Sequence, residues 1–313
     1  MMLDFLPEWL MRQARWRWPC KDFYKTRLTR GAPKPLVIRR RQIETALSDA
    51  SFGPDEILLV HANTTNVSVE SAGSPVTCPV SVADTLLGWV REIAGPRATI
   101  VMPTYPYYRE VRAYDQEVGG LVLNYNPRTT PSKTGLVSEV FRRTKGCLRS
   151  NMPLQSMAAL GPRAEDLIRP SVLPTDVPPH GEGSPHHRVC LENALVVGIG
   201  LDLHRYLTLV HVAEDLKFAE NRRRNFYRRR DFIVKLDSPT PVHLWERRPE
   251  FARVFCAGKF HRDIVREGLL REDADGSSLD WIRAGKLLEF MSAMTARSTY
   301  PYYLPSLAGP FRG

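Results

Sequence analysis

His211 and Glu214 stand three residues apart in Thr208-Leu209-Val210-His211-Val212-Ala213-Glu214, a spacing that sets both side chains on one face of a predicted helix. A carboxylate beside an imidazole can orient the ring for proton transfer, and burial can raise the glutamate until it serves as a base itself. The same pair can also be a structural contact within the fold. His180 precedes the loop Gly181-Glu182-Gly183-Ser184-Pro185, where it is either a further proton acceptor or a solvated loop residue. His186 and His187 are expected at the surface, because adjacent side chains on a loop diverge. No acidic or cysteine ligand accompanies these histidines at useful spacing, so no metal centre is expected. Ser132 and Thr134 follow Pro131 and open a predicted helix, where hydroxyls and unbonded N–H groups can bind an anion or simply cap the helix.

Strands and helices must position these groups. Ile38 to Ala50 reads as a helix, Glu56 to Val60 as a buried strand ending before His61, and Val82 to Ile93 as an amphipathic helix. Thr99 to Met102 is the next strand, stopped by Pro103; Leu136 to Arg143 is a short helix; Ala194 to Gly200 is another buried strand running into a glycine turn. A strand is also predicted over Phe232 to Leu236, and residues 245–295 read as helical, with Ile264, Trp281, Leu287 and Met291 available for a core. Alternation of this kind predicts an α/β layered fold with ligand-binding loops at strand ends, in one domain spanning residues 36–313. Residues 1–35 stand apart: Trp9, Trp16 and Trp18 are interleaved with Arg12, Arg15 and Arg17, a pattern that suits an amphipathic helix at a membrane surface or one packed on the main domain.

Bulk properties narrow the classes. The chain has 313 residues, 43% of them hydrophobic and 25% charged, which is enough to bury a substantial core. Its five cysteines are scattered and never in a CxxC pair, which fits a reducing cytoplasm and neither a disulfide framework nor zinc. No run approaches the ~20 apolar residues of a membrane span. The net charge of +10 favours anionic partners. Arg222 to Arg230, with Phe226 and Tyr227, invites a nucleic-acid reading, but no recognised module surrounds it, and the arginines can equally grip phosphates or form a solvated face. Nucleic acid is therefore not an expected partner.

The stretch from Tyr125-Asn126-Pro127 through Pro131-Ser132-Lys133-Thr134-Gly135 to Glu139, followed by Arg149-Ser150-Asn151-Met152-Pro153-Leu154-Gln155-Ser156, resembles the signature of the aminoglycoside 3-N-acetyltransferase family. Leu58 to His61, Ala98 to Tyr105, Met157 to Gly161, Gly181 to Pro185 and the Thr208-x-x-His211-x-x-Glu214 motif match in order, over roughly residues 38 to 295. Both positions where the family carries histidine hold amides here, Asn151 and Gln155, and neither amide can accept a proton from an amine. Asn126 is neutral where the family often has an acid. The family's Ser-Ser-Leu and Gly-Gly loops are replaced by Ala62-Asn63-Thr64 and Pro75 to Pro79, and His180 takes the place of an aromatic.

The resemblance implies a layered α/β/α fold with a central mixed sheet. It also implies an acyl-CoA-dependent N-acyltransferase, using acetyl-CoA or another acyl-CoA without a metal, that acts on an amino sugar or related amine in polysaccharide or specialised-metabolite biosynthesis. Glu214 with His211 or His180 would handle the proton, assisted by Gln155. His61, Asn63, Thr64, Ser132, Thr134 and Thr208 would line the coenzyme groove, and Asn151, Asn126, Tyr105 and Ser184 would hold the substrate. A polycationic aminoglycoside would be repelled by the chain's net charge, whereas coenzyme A and nucleotide sugars would be attracted. The alternative is a member that has lost its chemistry and serves as a binding or scaffold protein, cytoplasmic and in peripheral contact with a membrane through residues 1–35. A homo-oligomer is compatible with either.

Overall fold

The apolar run Ile57-Leu58-Leu59-Val60-His61-Ala62 forms a strand buried along its whole length, because both of its faces carry side chains that must leave water. In this computed structural model the described residues are 36–65, 67–71, 73–108, 122–168, 173–222, 226–248, 251, 255–272, 279–297 and 302. The expected amphipathic segment 1–35 lies outside them.

Chain order runs β1 (Leu36–Ile38), α1 (Arg40–Asp49), β2 (Ile57–Ala62), β3 (Val67–Ser71), β4 (Ser74–Val76), α2 (Pro79–Ala94), β5 (Thr99–Pro103), β6 (Val122–Tyr125), α3 (Leu136–Arg143), β7 (Leu148–Arg149) and β8 (Met157–Leu160). It continues with α4 (Ala164–Ile168), α5 (Pro185–Leu191), β9 (Leu195–Ile199), α6 (Leu203–Tyr206), a 3-10 turn (Thr208–His211), α7 (Val212–Asp215), α8 (Phe218–Arg222), β10 (Tyr227–Lys235) and β11 (Pro239–Arg247). The last elements are α9 (Ala257–Arg266), β12 (Arg271–Glu272), β13 (Leu279–Arg283) and α10 (Ala284–Arg297).

The main sheet has seven strands in the order β12-β13-β9-β2-β5-β8-β7. β9, β2 and β5 run parallel at its centre, and β13 and β8 flank them antiparallel, so the sheet is mixed, as the resemblance implied. Period-two alternation sorts the strand residues onto two faces. Ile57, Leu59, Val101 and Val196 pack with Leu167, Val189, Ile264 and Leu287 on one side. Leu58, Val60, Ile100 and Leu195 pack with Ile43, Val82, Leu86 and Phe141 on the other. Helices therefore cover both faces. Two smaller sheets accompany this core, β1-β3-β4 and β11-β10-β6.

Two predicted elements differ from what forms. Ile38 ends a strand and not a helix, because Leu36 to Ile38 pairs in parallel with Val67 to Val69. Residues 245–295 contain β12, β13 and the end of β11 as well as two helices. Trp281 and Ile282 are strand residues of β13, whose pairing with β9 overrides local helical preference.

Gly200 fixes the loop that follows β9. Its φ is +71°, and a Cβ there would stand 2.5 Å from the Asn63 carbonyl oxygen and 2.8 Å from Val67 Cγ2. Gly200→Ala is expected to cost roughly 2–3 kcal/mol, since strain and backbone overlap add. A urea midpoint equal to that of the unsubstituted chain would show that the loops after β2 and β9 do not meet in this way.

Candidate active site

The parallel strands β2, β5 and β9 all point their C-terminal ends the same way, and loops there gather in the crevice where open α/β sheets bind ligands. His61, one residue from the end of β2, lies directly opposite Gly198 of β9. By alternation its ring is on the face of Ile57 and Leu59, where it is buried and its Nε2 has no hydrogen-bond partner among the described residues. Glycine at 198 lets α6 close over this spot: a Cβ would come within 2.9 Å of Leu203 Cβ.

Two imidazole–carboxylate pairs stand side by side next to this strand end. His211, closing the 3-10 turn, offers Nδ1 to Glu214 Oε2 at 2.8 Å, so the predicted pair is confirmed as a contact, made across a 3-10 turn and one α-turn and not along a regular helix. Arg247, the last residue of β11, donates to the same Glu214 oxygen at 3.4 Å, and its Nη1 also lies 2.5 Å from His211 Nδ1. Glu214 as acceptor and Arg247 as donor therefore meet at that one ring nitrogen, and the tautomer decides which is served. The second pair is His180 with Asp215. Asp215 Oδ2 accepts from both the backbone N–H and Nδ1–H of His180 at 3.0 Å, while Oδ1 accepts from the Tyr227 hydroxyl at 2.7 Å. Nδ1–H is thereby fixed, leaving a bare, enclosed Nε2 on His180. The His180 and His211 rings are 5.7 Å apart.

His186 completes the group and corrects the expectation of a surface residue. It is fully buried, 4.4 Å from His180 in a T-shaped contact, because α5 turns His186, Val189 and Cys190 onto one inward face. Its Nε2 lies 3.4 Å from the Tyr105 hydroxyl, which shares a 2.6 Å hydrogen bond with Thr208 Oγ1. His180 is likewise buried and not a solvated loop residue. His211, Tyr105 and Thr208 are only half-buried, so they form the accessible front of a cluster whose back is enclosed.

Enclosure sets the charge state. Burial pushes His61 down to about 4 and holds His180 and His186 well below the ordinary imidazole value. His211 is lowered by burial and then by Arg247, with Glu214 opposing. Burial pushes the Asp215 carboxyl up to about 6 despite its three donors. The imidazoles are therefore neutral at pH 7, the state in which a ring can accept a proton.

The turn from Asn151 to Ser156 is anchored by a buried arginine that no local motif announces. Arg149 donates Nε to Thr104 Oγ1 and Ser156 Oγ at 3.1 and 3.0 Å, and its guanidinium also holds the carbonyls of Thr104 and Thr130. Met152 packs into the small sheet with Phe232 and Leu244, so the turn is held between the two sheets. Gln155 adopts φ +51°, and its buried Oε1 has no hydrogen-bond partner among the described residues. A non-glycine residue in that region with an unsatisfied acceptor is strained in the way binding sites often are.

Other predicted site residues serve local geometry. Asn126 Oδ1 accepts the N–H groups of Arg128 and Thr129, which makes it a turn former. Ser184 caps α5 through His187 N–H at 3.1 Å. The Ser132 and Thr134 hydroxyls bond each other at 2.7 Å, and Thr134 Oγ1 donates to the Pro103 carbonyl. Asn63 donates its N–H to the Ile199 carbonyl and accepts the Thr65 N–H through its side chain. Thr64 lies half-buried beside it, and Asn151 is half-buried at the start of its turn. Gly135 brings its backbone against the Ala62 carbonyl, so the loops carrying residues 62–64 and 132–134 adjoin each other. Among the described residues no group of three or more histidine, cysteine or acidic side chains could hold a metal ion. No described helix is long and apolar enough to cross a membrane.

A sequence model described as aminoglycoside 3-N-acetyltransferase matches residues 59–295, a span that contains both strand-end loops and both imidazole–carboxylate pairs. The chain belongs to the aminoglycoside 3-N-acetyltransferase family. Aminoglycoside N(3)-acetyltransferase IX of Micromonospora chalcea is 25% identical over 195 residues, covering 59% of this chain and 65% of that protein. Aminoglycoside N(3)-acetyltransferase III of a Salmonella species is 28% identical over 195 residues, covering 59% and 63%. The chain thus spans just under two thirds of the length of these relatives. In fold it is similar to AAC-IIIb in its binary complex with CoASH, with a TM-score of 0.62 at 19% identity over 83% of this chain and 97% of that one. A histidine-to-alanine variant of AAC(3)-IVa in complex with apramycin gives a TM-score of 0.61 at 22% identity, covering 86% and 96%. These likenesses confirm the family's α/β fold for this chain.

Proposed function

We propose that this family member is an acyl-CoA-dependent N-acetyltransferase acting on an amino sugar or related amine in a biosynthetic pathway, with His211 as the proton acceptor. The observation that carries it is the His211–Glu214 pair at the C-terminal ends of the parallel strands, in which the His211 side chain is 12% exposed and its ring neutral at pH 7. The acyl-CoA supplies the activated acyl group; the amine nitrogen forms the new C–N bond as the C–S bond breaks, and the amine's proton passes to His211 and on to the departing sulfur. In this proposal Glu214 takes the Nδ1–H tautomer of His211 in preference to the Arg247 contact, which leaves Nε2 as the base. Tyr105 and Thr208 offer hydroxyls beside it, and Gln155 Oε1 is an acceptor for an amine N–H. The groove between residues 61–64 and 132–134 is the proposed course of the coenzyme, since these adjoining loops open at the same strand ends.

The test is acetyl-CoA consumption against a panel of mono- and polyamines, alongside calorimetry with coenzyme A. Micromolar coenzyme binding with turnover of at least one amine supports the reading. No coenzyme binding would leave the fold as a binding or scaffold protein.

A further inference from the structure

The side chains around this crevice are biased toward positive charge, and its nearest carboxylates are already taken. Asp215 holds two N–H groups of His180 and the Tyr227 hydroxyl, and Glu214 holds His211 and Arg247. On the hairpin, Glu246 Oε2 accepts from Arg228 Nε at 3.0 Å and Arg230 Nε at 2.9 Å. Arg228, Arg230 and Glu246 share the face of Phe232 and Leu244, the one that packs on the turn carrying Gln155. Lys133 joins this band from the other side: its N–H donates to the Tyr105 carbonyl at 2.8 Å, and its ammonium lies in the field of Glu246 and Arg230. Buried Arg149 adds a further cation beneath the same turn. On this face Lys133, Arg228 and Arg230 outnumber Glu246, while Arg247 lies on the opposite face of the hairpin beside Glu214 and Arg149 lies in the field of Glu139, in a chain whose net charge is +10.

A polycationic acceptor needs spare carboxylates, because each ammonium it brings must lose water and find a counter-charge. We propose that the acceptor is instead an amine bearing its own oxyanion, a phosphate or a carboxylate, which the band of Lys133, Arg228 and Arg230 holds while the amine faces His211. Arginine forks and a lysine point charge match such groups. This rests on the acetyltransferase reading and narrows its substrate class to one opposite in charge to aminoglycosides.

The experiment measures acetyl-CoA-dependent acetylation of glucosamine, glucosamine 6-phosphate, muramic acid and kanamycin. Glucosamine 6-phosphate or muramic acid is expected to exceed glucosamine in kcat/KM by roughly tenfold, the usual worth of one charge-assisted contact. That advantage should shrink as salt rises from about 20 to about 200 mM, whereas kanamycin turnover should improve. Lys133→Glu should cut the ratio of anionic to neutral amine by a similar factor; the salt series on the unsubstituted chain reads the same charge without any risk to folding. A preference for kanamycin overturns the proposal, as does a Lys133→Glu variant in which only the KM for acetyl-CoA rises, which would assign the band to the coenzyme's phosphates. Calorimetry with glucosamine 6-phosphate separates the two readings. Binding that Lys133→Glu abolishes, without acetylation of any amine, would sink the acetyltransferase and keep the anion site; no binding and no acetylation would sink both.

Discussion

His211→Ala is expected to lower kcat for amine acetylation by about 10²–10⁴-fold, the usual contribution of a positioned general base, while the KM for acetyl-CoA moves little. Glu214→Gln should cost less, because the amide still accepts a hydrogen bond from Nδ1–H but no longer stabilises the imidazolium that forms. The pH profile separates this role from a structural one. His211 must be neutral to act, and burial with Arg247 lowers it, so kcat/KM should fall only below the ordinary imidazole value of 6.5 as pH decreases. Arg247→Gln removes one of the two causes and should carry that acid limb to higher pH. A kcat for His211→Ala within about threefold of the unsubstituted chain would place proton acceptance elsewhere.

The accessible half of this site is legible in the sequence, and the enclosed half is mostly not. The spacing of His211 and Glu214 announces one face because three residues make about one turn, and the pair does meet at 2.8 Å. Strands β2, β5 and β9 are legible as short apolar runs, and α3 is predicted with its observed bounds, because these elements carry a period that neighbours do not contradict. Asp215, Tyr227 and Arg247 are invisible by the same method. Tyr227 and Arg247 are twenty residues apart in the chain, and only the register of the β10–β11 hairpin sets them opposite each other beside the two carboxylates. His186 did leave a signal: Ser184-Pro185 is a helix start, and His186, Val189 and Cys190 follow at helical spacing, so an inward face could have been read there. The residues from 245 to 295 misled because β13 is held by β9, an interaction 80 residues distant in sequence that no local period reports.

The enclosed imidazoles also make acid lability the largest expected effect on stability. An unfolded histidine takes up its proton near pH 6.5; folded His61 waits until about 4, and His180, His186 and His211 are lowered as well. Below pH 6.5 the unfolded chain therefore binds more protons than the folded one, and stability falls as pH falls, by up to ~1.4 kcal/mol per pH unit for each imidazole. Asp215 and Asp280 act with the opposite sign. Both are pushed up to about 6 from 3.8, so below about 6 the folded chain holds protons that the unfolded chain has released, and each offsets one imidazole down to about 4. The lowered imidazoles outnumber the two raised carboxyls, so the net effect is a stability that falls as pH decreases below 6.5. Urea unfolding free energies measured from pH 7.5 to 4.5 should show that fall, shallower in His186→Leu and steeper in Asp215→Asn. A stability that stays level across this range would mean that water reaches the back of the cluster, and the neutral, enclosed histidines would lose their physical basis.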